Sequence, residues 1–128
     1  AANDGDGATA SGQEGDVVHR EMSTGFHVPF SVRSTIKYDT GLEHIIYLLM
    51  SPVDAVTTNF FGVFWRNDDF SVPADEVLVF DYAIAAEDKR MLEMVKGPLP
   101  LGNVGVVSVQ SDRPSVEWKR QFNAWLGR

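Results

Sequence analysis

Cysteine is absent from the 128 residues. That excludes disulfides, thiolate zinc sites, a cysteine nucleophile and any iron–sulfur cluster ligated by this chain. Basic charge is also scarce, with 11 Lys and Arg against 18 Asp and Glu. The net charge of −7 and the lack of a basic block argue against nucleic acid and anionic lipid as partners. No apolar run approaches the ~20 residues that cross a bilayer, so no membrane span is expected. Also missing are a glycine-rich phosphate loop, a Gly-x-Ser-x-Gly elbow, a spaced carboxylate pair of the glycosidase kind and His pairs at helical spacing. Without a secretory apolar segment at the N-terminus, the expected location is cytoplasmic. The first residue is Ala1, from which we expect a piece cut from a longer product.

What is present suits one folded domain, with 44% apolar and 11% aromatic residues. Residues 1–15, small, polar and acidic, have no hydrophobic period and are expected to be a tail or linker. From Asp16, β-branched and aromatic residues recur between turn formers. Val17 to Arg20 is a short strand candidate. In "HVPFSVRSTIKY" the residues Phe30, Val32, Ser34, Ile36 and Tyr38 alternate with Ser31, Arg33, Thr35 and Lys37, giving one apolar and one wet face. "LEHIIYLLMS" and "VTTNFFGVFWR" follow, parted by the turn formers Pro52 and Asp54, and the three runs make a meander.

The period then changes. Over Ala74 to Val95, Val77, Phe80, Ile84, Met91, Leu92 and Val95 recur at helical spacing, with Pro73 before the segment and Gly97–Pro98 after it. "VVSVQ" is a possible strand. A final helix follows, with Asp112 or Ser115 as cap, Pro114 in its first turn and Trp118, Phe122, Trp125 and Leu126 on one face. The fold class is α+β, an antiparallel sheet with helices.

Two carboxylates raise chemical questions. Asp39 stands in an Asp-Thr-Gly triplet, the form that carries the acid of aspartic proteases, which need two such groups sharing a proton. One triplet leaves only a homodimer open, and the flanking Lys37, Tyr38, Leu42, Glu43 and His44 do not suit that turn. Asp39-Thr40-Gly41 reads instead as a hairpin loop. Asp88 lies about 40° from Ile84 on the helix and within the apolar stripe, so it is expected to face inward and to need a partner. That partner is a buried hydrogen-bonding group, a base such as Arg33 or Arg90, or a bound cation. Asp81 sits at the stripe's edge. His19, His27 and His44 lie on strand-like segments without ligand spacing, and no catalytic residue is assigned.

"IAAEDKRMLEMV" together with "VSVQSDRPSVEWKRQFNAWLG" resembles the C-terminal half of the catalytic domain of Rieske-type non-haem iron oxygenases, in the branch of vanillate demethylase and dicamba monooxygenase. The preceding strands, with "P-V-D" and an aromatic run ending in Arg-Asn, are similar in kind, and the likeness covers about residues 26–127. It implies a helix-grip (START-like) fold, a curved sheet wrapping the long helix, with residues 16–128 as the C-terminal half of the catalytic domain. It implies hydroxylation or O-demethylation of an aromatic substrate in aromatic compound catabolism, by a monooxygenase using Fe(II) and a [2Fe–2S] cluster. By position it makes Asp88 the carboxylate of a two-His, one-carboxylate iron site.

The family's His ligands and cluster ligands have no counterpart in this sequence, so the chain alone is expected to bind neither cofactor and to be inactive. The implied partners are an N-terminal Rieske and His-bearing segment or companion chain, a reductase or ferredoxin, an aromatic small molecule, and further copies in a homotrimer. The alternative is a non-catalytic helix-grip module for a small apolar ligand.

Overall fold

The computed structural model describes residues 17–67, 73–97, 100–102 and 107–128. The expected tail at 1–15 and most of the Pro/Gly crossing "GPLPLGNVG" lie outside them. Four strands form one antiparallel sheet in the order β1-β2-β3-β4, with β1 at Arg20–His27, β2 at Ser31–Tyr38, β3 at Glu43–Pro52 and β4 at Thr58–Arg66. Helix α1 spans Ala74–Glu93 and helix α2 spans Arg113–Trp125, preceded by a 3-10 turn at Gln110–Asp112. The fold is α+β, consistent with a helix-grip arrangement.

The described residues of Ala1–Met22, Thr35–His44 and Trp65–Gly97 form one compact unit, and those of Ser23–Ser34, Ile45–Phe64 and Pro98–Arg128 form a second. The strands contribute to both.

In the first unit the Asp-Thr-Gly triplet closes the β2–β3 hairpin. Gly41 takes φ +85, a conformation that costs other residues dearly, and the Tyr38 N–H donates to Leu42 O while the Gly41 N–H donates to Tyr38 O. β2 keeps the predicted alternation, with Ile36 and Tyr38 buried and Arg33 and Lys37 exposed. Val18 and Leu42 join Ile36 and Tyr38 in the buried apolar set. α1 begins directly after Pro73, whose carbonyl accepts from the Glu76 N–H at 3.0 Å. Asp75 and Glu76 sit in the first turn and Arg90 in the last, where each charge opposes the helix dipole. The helix stops at Glu93, short of the expected Val95.

In the second unit the aromatic stripe of α2 is partly realised. Trp118 stacks on Phe122 at 4.8 Å, Phe122 meets Phe30 at 5.5 Å, and the Trp118 Nε1–H donates to Pro29 O at 2.9 Å. Trp125 and Leu126, expected to dock, are exposed. Asp112 occupies the cap position, but its carboxylate accepts from the Val109 N–H and makes no hydrogen bond into the helix. The "PVDA" turn forms as expected, with the Val53 N–H on Thr57 O and the Val56 N–H on Asp54 Oδ1.

Two further elements differ from the sequence reading. The first strand begins at Arg20, where the candidate segment Val17–Arg20 ends, and runs to His27, so the meander has four strands. β1 lies at a sheet edge with nearly every residue exposed; pairing with β2 makes it a strand, and no buried face writes a period into its sequence. The described part of "VVSVQ" is irregular at Val107–Val109 and enters the 3-10 turn at Gln110.

Candidate functional site

The site grows from the start of β3. Successive strand residues face opposite sides, so His44 shares the side of Leu42, and both are buried, His44 to 2% exposure. The hairpin fixes this register and Asn67, just beyond β4, reinforces it. Asn67 Oδ1 accepts from the Glu43 N–H at 2.6 Å, Asn67 Nδ2 donates to Gly41 O at 3.2 Å, and the Asn67 N–H donates to Glu43 O at 3.3 Å. The Arg-Asn ending noted in the sequence thus holds the residues on which His44 depends.

From α1, Asp81 reaches the same place. It is 6% exposed and the one buried residue of its helix, and Asp81 Oδ2 lies 3.5 Å from His44 Nε2. Arg66, the last residue of β4, adds a second positive charge acting on it. Burial is the largest influence and raises the Asp81 carboxyl above its ordinary value, against the opposing pull of His44 and then Arg66. Such an acid holds its proton more readily than a surface acid, and its charged form depends on the two cations beside it.

The inward-turned acid is therefore Asp81 and not Asp88. Asp88 is exposed, which corrects the expectation that it faces the interior. The helical geometry was sound, since seven residues turn the helix to within about 20° of Asp81's direction. What differs is cover. Val77, Leu78, Phe80 and Ala85 are half-buried around Asp81, whereas every residue from Ala86 to Gly97 is exposed. Next to Asp88, Lys89 pairs with Glu93 across one exposed turn at 3.7 Å.

Asp39 is exposed in its turn, where it serves the hairpin. His19 and His27 are exposed, far from the burial of His44. Among the described residues no group of three or more His, Cys, Asp or Glu side chains gathers as a metal site. One carboxylate is a third of the protein ligands that an iron facial triad needs, so these residues by themselves do not fit the ion. Among the described residues, no helix is long and apolar enough to cross a membrane.

Residues 4–128 match the family model of the vanillate O-demethylase oxygenase C-terminal domain. The chain belongs to that family. The family is the C-terminal portion of Rieske-type oxygenases, which are oxidoreductases. Intact enzymes of this kind carry iron cofactors and work with reductase partners. No curated protein and no solved structure matches the chain.

For this vanillate O-demethylase-type domain, sequence reasoning placed Asp81 at the edge of the apolar stripe and His44 on a strand, and gave neither of them, nor Arg66, a part in a site. The signals were present. His44 stands two residues from Leu42 on a strand, and Asp81 stands four residues from Val77 and three from Leu78 on a helix. Nothing local says that these two residues meet.

Proposed function

We propose that this chain forms the C-terminal part of the catalytic domain of an oxygenase that hydroxylates or O-demethylates an aromatic compound, with Asp88 as its one contribution to the iron site. The observation that carries the reading is the family match over residues 4–128. The disposition of α1 supports it. Asp81 fastens the covered half of the helix, and the exposed half offers Asp88 on nearly the same side. Another segment or chain would bring the two His ligands and the cluster. Apolar residues left exposed support the idea that further protein surface meets each unit, with Trp65, Leu92 and Met94 of the first unit and Phe60 and Phe61 of the second each more than half exposed. Vanillate, from which the family takes its name, is the first substrate to try.

The chain alone lacks two of three protein ligands, so it should not turn over an aromatic methyl ether when given Fe(II), dioxygen and a reductase. The test is to purify it with and without a segment carrying the His and cluster ligands and to follow formaldehyde release. Release only from the combined protein is the expected result. Release from the chain alone, abolished in Asp88→Ala, would contradict the reading by revealing other ligands within it. A co-purifying organic ligand in native mass spectra, with no gain of activity in the combined protein, would replace the oxygenase by a binding module.

A further inference from the structure

Hydrophobic contacts hold a helix against a sheet without choosing its rotation sharply, because burial is non-directional. α1 is an extreme case. Its covered half offers only the half-buried Val77, Leu78, Phe80 and Ala85, and its second half is exposed. Among the described residues, Asp81 is the buried polar group of α1, and its Oδ2 lies 3.5 Å from His44 Nε2, with both side chains buried. A buried polar pair costs desolvation whatever its setting, and the attraction between its members offsets that cost only while the two groups stay close. His44 cannot follow a wandering helix, since the hairpin at Gly41 and the three hydrogen bonds of Asn67 fix the residues before it.

We propose that the His44–Asp81 contact is a register key, which fixes the rotation and axial position of α1 on the start of β3 and so sets the direction in which Asp88 presents its carboxylate. The first half of that statement stands without the role given to Asp88 above; the second rests on it. Asp81 and His44 are positioning residues. Arg66 compensates the buried carboxylate from the end of β4. A slip of one residue would turn α1 by about 100°, moving a group on the surface of a helix roughly 11 Å across by about 8 Å. Asp88 would then point to a different side of the helix.

The chain has no cysteine, so two introduced cysteines can be spin-labelled cleanly. Lys37→Cys on β2 and Glu87→Cys on α1 are both exposed positions of the first unit. Pulsed electron paramagnetic resonance then reads the distance between them. The unsubstituted pair should give one narrow distance. Asp81→Leu and His44→Leu, each of which keeps an apolar side chain in place, should keep their helix content and yet show a second distance or a distribution broadened on the ~8 Å scale of a one-residue slip. The reciprocal exchange of His44→Asp with Asp81→His should restore the single narrow distance. A merely structural role would lower stability in the single variants without changing the distance.

The key is overturned if either single variant folds with the narrow distance unchanged. It is also overturned if the reciprocal exchange fails to recover it, which decides the matter even where the single variants do not fold. Asp88→Ala in the labelled protein should leave the distance as it is. A failure of the iron reading therefore leaves this result standing, and a failure of the key leaves the activity test above standing.

Discussion

At the scale of single residues, Asp81 makes the most exacting demand on its surroundings. Its carboxyl is raised in the folded protein above the ordinary 3.8, with burial as the leading cause. A group raised on folding favours the folded state most below its unfolded value and loses that contribution as pH rises through its folded value. Urea midpoints measured from about pH 3 to about pH 7 should therefore show a decline in the window just above 3.8 that Asp81→Asn lacks. Identical profiles would mean that Asp81 is not held as described. Taking away His44 leaves the acid with Arg66 as the other cation acting on it, and His44→Ala should cost roughly 3–5 kcal/mol by denaturant titration. Glu117 behaves in the opposite sense, as its exposed carboxylate accepts from Arg120 and Gln121 and is held down to about 2. Its contribution is present above the usual carboxylate range and is lost as pH falls through about 2, which carboxyl carbon shifts would trace.

Elements are legible in a sequence when they bury one face, and this protein divides along that line. β2 and α1 declared themselves through Ile36 and Tyr38 and through Val77 and Phe80. The Asp-Thr-Gly turn declared itself because Gly41 needs a positive φ. β1 did not, since a strand exposed on both sides has no period to show. "VVSVQ" misled for the reverse reason, because β-branched residues suit a strand only where a neighbour pairs with them. The pairing of His44 with Asp81 is non-local and leaves no mark at either position beyond a polar residue at an apolar site. At this scale, Asn67 is expected to act on the β2–β3 hairpin. Asn67→Ala removes the acceptor of the Glu43 N–H, so that amide should exchange with solvent faster at a stability loss of about 1 kcal/mol. In the second unit, Trp118→Phe keeps the stacking on Phe122 and loses the hydrogen bond to Pro29 O, again at about 1 kcal/mol by denaturant titration.

On the scale of the whole molecule, the order of strands, long helix and aromatic helix pointed to an oxygenase family, and the match over residues 4–128 places the chain there. The site was less legible than the family. Sequence position singled out Asp88, while burial singles out Asp81, and the two lie a heptad apart on one helix whose cover ends between them. In the proposals made above, Asp81 sets the helix and Asp88 would contact iron. The most direct measurement is the Fe(II) content of the protein combined with its His-bearing segment, determined after dialysis for the unsubstituted chain and for Asp88→Ala. The account predicts one iron per chain in the first and almost none in the second. Equal iron in both would contradict it.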